Sequence, residues 1–348
     1  MGVRIRADDL IRAYDVLDAA TKQLVDQVTL KKLEFVRELL VGRDMSPGGT
    51  RLSTRQRVAF ALQSGEVSLD QLQELIKELD LWGDQRLRLM QLPAAALPSI
   101  RNQAPLAGQF QANFGFDPFN EKHDLAPEAT LQLLYAEYAA KPGGRQVLRV
   151  VVGRQQVIEN RVPEEEIQPI RVEDQPDLVF IPFRIEKRNA ITFAEIDLAS
   201  GLVVLSTTAG RGTDKELASL LVMVQGSLSF QLATRKNLEV VAGKVNCGTL
   251  GNEVRRCRLR RRTAQGSEID VKGASVVTDL GVDPEALSAI GSTPAASNRF
   301  ANCIWQTSAA LDRDVHCHIW APEGELTILG QVLELHVEHV LQRVLFHN

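Results

Sequence analysis

An α+β fold, with an N-terminal helical bundle followed by a β-rich mixed α+β body, is predicted by three observations. Apolar residues recur at helical spacing through roughly the first ninety positions. Five prolines then break the texture between Pro93 and Pro127, and short alternating strands dominate from Gln146 onward. The chain accordingly divides into a helical bundle domain (1–92), a proline-rich connection (93–128), an α+β domain with an antiparallel sheet (129–230), and a C-terminal α+β domain ending in a helix (231–348).

The elements follow in order. Asp8 to Val28 carries Leu10, Ile11, Tyr14, Leu17 and Leu24 at helical spacing. Leu30 to Leu40 repeats the pattern with Leu33, Val36 and Leu40, and Gly42 is a helix stop. After a loop from Met45 to Thr50, a third helix runs from Thr54 to Leu62 and ends at Ser64-Gly65. Ser68-Leu69-Asp70-Gln71 has the form of a capping box ahead of a stripe of Leu69, Leu72, Leu75, Ile76 and Leu79. The connection, with Pro93, Pro98, Pro105, Pro118 and Pro127, reads as irregular. Connections of that length are linkers or functional arms, and Phe110, Phe114, Phe116 and Phe119 mark this one as docking on something. Strands are expected at 147–152, 156–161, 178–186, 191–196 and 202–206, with a hairpin turn from Asp197 to Gly201. Thr213 or Asp214 caps a helix reaching Val224. An arginine-rich hairpin, a short helix over 284–290, strands at 300–306 and 315–320, and a terminal helix over 330–346 complete the chain.

Composition narrows the function. A formal net charge of −4 excludes a protein that is basic throughout, so any nucleic-acid contact must come from a local patch. Four cysteines without a Cys-x-x-Cys pair read as reduced thiols of a cytoplasmic protein. The N-terminus lacks the apolar core of a signal peptide, and Arg6 stands where a myristoylation signal wants Ser or Thr. No apolar run approaches the roughly 20 residues of a membrane span, so no membrane contact is expected.

The densest charge pattern is Val254 to Lys272. Strand alternation puts Arg256, Arg258, Arg260 and Arg262 on one face and Cys257 and Leu259 on the other. Arg255 adds a further cation beside them. A three-residue turn at Ala264-Gln265-Gly266 sets Arg262 opposite Glu268, Arg260 opposite Asp270 and Arg258 opposite Lys272. On that face five cations meet two carboxylates, and phosphates are the common anion that relieves such a surplus. Arg255, Arg256, Arg258, Arg260, Arg262 and Lys272 are therefore the candidate nucleic-acid contacts. The alternative is a solvated face in which Arg260 and Arg262 are simply paired across the strands. A sharper alternative takes Asp270-Val271-Lys272 as a metal-dependent nuclease strand, with Glu253 as second carboxylate: the carboxylates hold Mg²⁺ and the lysine stabilises the attacked phosphate.

Other clusters carry less. His316 and His318 share a strand face, while His336 and His339 are expected to point to solvent beside Arg343, so no metal site is assigned. Gly210-Arg211-Gly212 lacks the lysine and Ser/Thr of a P-loop. Pro176-Asp177 with Glu186-Lys187 has the wrong carboxylate–lysine spacing for a nuclease. Between Leu39 and Leu62, Arg43, Arg51, Arg55 and Arg57 fit either a helix–loop–helix that contacts phosphates or a solvated helix face.

The run Thr50-Arg-Leu-Ser-Thr-Arg-Gln-Arg-Val-Ala-Phe-Ala-Leu, then Glu66-Val-Ser-Leu-Asp-Gln-Leu, Leu79-Asp-Leu-Trp-Gly and Leu87-Arg-Leu-Met, resembles the N-terminal helical domain of the centromere protein N family over residues 50–90. The resemblance implies a death-fold-like helical head that binds chromatin and a partner protein. The reading that joins these features is a non-enzymatic adaptor without a cofactor, which contacts a DNA or RNA backbone and a protein partner. The metal-dependent nuclease and a pure protein–protein scaffold are the alternatives.

Overall fold

The computed structural model describes residues 7–30, 33–40, 50–82, 85–126, 130–141, 144–161, 170–172, 175–180, 183–208, 219–220, 222–223, 227–228, 232–263, 267–273, 279–280, 283–285, 288, 295–308, 311–330 and 332–348. In chain order they form α1 (Ala7–Asp15), α2 (Ala19–Leu30), α3 (Leu33–Leu40), α4 (Arg51–Gln63), α5 (Leu69–Leu81), β1 (Gln85–Gln91), α6 (Leu97–Arg101) and α7 (Gln103–Phe114). Strands β2 (Gln132–Ala140), β3 (Gln146–Arg161), β4 (Ile170–Val172), β5 (Gln175–Phe180), β6 (Phe183–Asp197), β7 (Leu202–Thr208) and β8 (Thr234–Arg235) follow. Then come α8 (Glu239–Cys247), β9 (Val254–Thr263), β10 (Glu268–Lys272), β11 (Ala295–Trp305), β12 (Val315–Trp320), β13 (Glu325–Leu329) and α9 (Glu334–His347). The fold is mixed α+β, with a helical region first and antiparallel sheet after it. The segment 210–214 and Arg43 lie outside the described residues, as does most of each helix expected at 213–224 and 284–290.

Two compact units share the chain. The first joins Met1–Leu89, Thr208–Arg211 and Arg235–Asn348; the second joins Met90–Thr207 and Gly212–Thr234. In the first unit, α2 to α5 enclose a core of Val25, Val28, Val36, Leu40, Val58, Ala61, Val67, Leu72 and Ile76. The capping box forms as expected: Ser68 Oγ accepts from the Gln71 amide at 3.1 Å and Gln71 Oε1 accepts from the Ser68 amide at 3.0 Å. Helix α4 starts at Arg51, three residues before its expected start at Thr54, because Thr50 Oγ1 caps the Ser53 amide.

The first unit's sheet runs in the order β10-β9-β11-β12-β13-β1, every neighbour antiparallel. Strand β1 has no counterpart in the sequence reading, although Arg86 and Arg88 alternate with buried Leu87 and Leu89. One face of this sheet is apolar: Ala301, Cys303 and Trp305 of β11, Val315, Cys317 and Ile319 of β12, and Leu326 and Ile328 of β13. Buried Val241, Ala242 and Val245 of α8 and Val337, Val340, Leu341 and Val344 of α9 supply the apolar side chains of the helix layer. Stacking of the His347 ring on Trp305 fixes α9 to that side.

The second unit pairs β7-β6-β3-β2, again antiparallel. Two strands expected at 147–152 and 156–161 are one, β3, which pairs with β6 along its whole length. The turn after β6 forms as expected: Asp197 Oδ1 accepts from the Ala199 and Ser200 amides, and Gly201 takes φ +74°. The stretch read as an irregular connection holds α6 and α7. Pro98 and Pro105 sit in the first turns of these helices, where an amide has no intrahelical partner and proline costs little. Asn102 caps α7 and Gly115, at φ +81°, ends it. The phenylalanines dock on their own unit. Phe110 and Phe116 are buried in its core, Phe114 and Phe119 pack against it, and Phe119 stacks on Tyr138 at 5.5 Å.

A charge ladder crosses the other side of this sheet. Glu137, Arg149 and Glu195 are register neighbours on β2, β3 and β6, and Glu195 Oε1 accepts from Arg149 Nε and Lys141 Nζ, both at 2.7 Å. All but Glu137 are buried. Glu195→Gln leaves two buried cations without their shared anion, and equilibrium urea unfolding is expected to show a loss of about 3–5 kcal/mol.

Candidate nucleic-acid interface

The arginine hairpin pairs in the register the sequence predicts: Glu268 opposite Arg262, Asp270 opposite Arg260 and Lys272 opposite Arg258. Its face assignment differs at one point. Against β11, Asn302 pairs with Arg258 while Cys303 pairs with Arg256, so Cys257 is an extra residue and β9 is bulged there. The bulge shifts the phase. Val254, opposite Trp305, and Arg256, opposite Cys303, both turn to the helix side, and Arg255, opposite Ile304, takes the outer one. Val254 and Cys257, three residues apart, would take opposite faces in plain alternation, and both are buried here.

Arg256 is therefore corrected from a candidate phosphate contact to a structural residue. It is 7 % exposed, its Nε donates to Asp279 Oδ1 at 3.3 Å, and its guanidinium lies against Gly248 at the C-terminus of α8. A cation there complements the negative end of the helix dipole. Arg255 is held by Asp314 at 3.0 Å. Arg258 makes a bidentate pair with Asp270 rather than facing Lys272 unopposed, while Lys272 itself is exposed. Arg260 and Arg262 hold register positions opposite Asp270 and Glu268.

Two rows of residues cross the outer face of the sheet at right angles to its strands. One runs Lys272, Arg258, Asn302, His318, Thr327, Arg86; the next runs Asp270, Arg260, Phe300, Trp320, Glu325, Arg88. At the hairpin end, three cationic positions meet the single carboxylate of Asp270. At the far end, Glu325 is bonded by both Arg86 and Arg88 at 2.6 Å. Between them lie aromatic rings: Phe300 packs on Trp320 at 4.5 Å and on His318 at 5.6 Å, with the Arg258 guanidinium 6.0 Å from the Phe300 centroid. Asn302, His318, Trp320 and Thr327 are half-buried. The His316–His318 alternation is visible in the sequence, but the rows are not, because a row exists only once the register of β1 and β13 is known.

Burial, with His316 and Arg258 nearby, lowers the His318 pKa to about 4, and burial likewise lowers that of His316. Both rings are thus neutral near pH 7. The Nε2 of His316 lies 2.6 Å from Asn302 Oδ1 and orients that amide.

The nuclease set does not converge. Glu253 precedes β9 while Asp270 faces Arg260, about 20 Å further along the strand, whereas one metal ion needs ligands at about 2.0–2.6 Å. Glu253 is bonded by Arg343 and by His347, and the Arg343 hydrogen bonds, against the upward pull of burial, keep its carboxyl below the usual range. Among the described residues no group of three or more His, Cys, Asp or Glu is placed to hold a metal ion. His336, expected at the surface, is buried: Nδ1 accepts from the Leu333 amide and Nε2 bonds Asp312 at 2.7 Å. That hydrogen-bonding demand, invisible to helical periodicity, draws it inward. In the helical region, Arg55 pairs with Asp26 at 3.2 Å and lies over the Tyr14 ring, so it is a packing residue.

Comparison with protein-family models and with curated proteins finds no match to this chain. The interface therefore rests on its own geometry.

A depressed histidine pKa gives a definite sign. The unfolded chain binds the His318 proton near pH 6.5 and the folded one only near 4, so stability falls as pH drops through that interval. His318→Phe is expected to flatten the slope of unfolding free energy against pH between 7 and 4, as read by denaturant titration.

Proposed function

We propose that this chain is a non-enzymatic adaptor that contacts nucleic-acid phosphates through the outer face of its first unit's sheet and a protein partner through its helical region. The carrying observation is the hairpin end of the two rows, where Lys272, Arg258 and the Arg260 position meet one carboxylate. A phosphate placed there accepts charge-assisted hydrogen bonds from the exposed Lys272 and adds to Asp270, which already pairs with Arg258. Arg256 is buried and takes no part in this contact, and Arg255, paired with Asp314, has only a secondary one.

Reading the helical region as a bundle, the exposed Ile11, Val16, Leu52 and Leu69 favour a protein partner. Its resemblance to the centromere protein N family over residues 50–90 points the same way. Buried thiols at Cys257, Cys303 and Cys317 suit a reducing, cytoplasmic setting. No described helix is long and apolar enough to cross a membrane. A pure protein–protein scaffold is the second reading, favoured by the carboxylate partners of Arg255 and Arg258.

Fluorescence anisotropy with labelled oligonucleotides separates the two. Binding is expected to weaken with salt, and Lys272→Glu to reduce the slope of log K against log salt by about 0.7–0.9 for the phosphate contact it removes. Absence of binding to any oligonucleotide at low salt would leave the scaffold.

A further inference from the structure

We infer that the ligand of this face is a single strand of nucleic acid, one base of which stacks on the indole of Trp320 while neighbouring phosphates lie at Arg258 and Lys272. The inference rests on the phosphate-contact reading and deepens it by naming the form of the ligand.

Three features favour a single strand over a duplex. The first is shape. The face is six strands wide, about 24 Å, whereas a protein element that reads a duplex must enter a groove of about 6–12 Å. The second is chemistry. Aromatic rings gain by stacking only when base faces are free, and a duplex hides them in its own stack. Of the chain's three tryptophans, Trp82 and Trp305 are buried at 5 % and 1 %, while Trp320 is half-buried on the outer face. Phe300, itself 4 % exposed, backs the indole at 4.5 Å and holds one side of it in place.

The third feature is the spacing of unlike groups. From Trp320, two strand spacings lead to the Arg258 strand and three to that of Lys272, about 10 and 14 Å away. A strand laid across the sheet thus meets a ring first and cations next. Asn302 lies between them in the adjoining row. The neutral His316 donates from Nε2 to its Oδ1, which leaves the Asn302 amide nitrogen to donate to a base edge. Stacking of this kind tolerates any base, so weak sequence preference goes with it.

Intrinsic fluorescence of the full chain tests the inference, with oligo(dT), oligo(U) and a mixed-sequence duplex as probes. Quenching by a single strand of either sugar is expected, with Trp320→Ala weakening single-strand binding about tenfold or more. Trp320→Phe is expected to keep most of the affinity while losing the quench, which separates stacking from misfolding. Equal binding of duplex and single strand, unchanged by Trp320→Ala, would overturn the single-strand inference and leave the phosphate reading standing. No binding to any probe would overturn both.

Discussion

A pleated strand has two faces, and the first unit commits one of them to a helix layer. That constraint organises the rest of the unit. Trp305, Cys303, Cys317 and Ile328 must lie beneath α8 and α9, so Phe300, Asn302, His318 and Trp320 are forced outward together. The outer rows are the obligatory complement of an apolar core. Where β9 carries buried residues out of step with the pleat, the strand gains a bulge rather than expose Val254.

Each unit buries a carboxylate held by two cations. In the second, Glu195 is sealed in the fold with Lys141 and Arg149, and the cations on it are spoken for. In the first, Glu325 is likewise buried and bonded by Arg86 and Arg88, and further charge lies toward solvent on β10, where Asp270 and Lys272 are exposed. Lys272 on an edge strand also discourages pairing with other sheets. The neutral histidines between the charged ends keep the middle of the face aromatic without adding to the positive field.

Local signals were readable from the residues. The Ser68–Gln71 cap and the turn at Asp197 depend on side chains within a few positions of one another, and the opposition of Arg258 to Lys272 follows from two strands adjacent in sequence. What stayed hidden was set by contacts distant in sequence. Helices α6 and α7 were masked by prolines that occupy permitted first-turn sites. His336 looked exposed by periodicity, yet Asp312 holds it inside. Arg256 looked like a surface cation because a bulge leaves no mark in alternation, and only the strand opposite reveals it. The rows of the candidate interface combine six strands drawn from opposite ends of the chain, which no window of sequence contains.

Cys257 has a consequence for how β9 can change length. Since it is supernumerary, excising it would yield a regular strand in which Val254 stays inside and Arg258 outside. Losing Leu259 instead would send everything on one side of the gap to the opposite surface. This strand can therefore absorb the loss of a residue at its kink, while elsewhere along it the count of residues matters more than their identity.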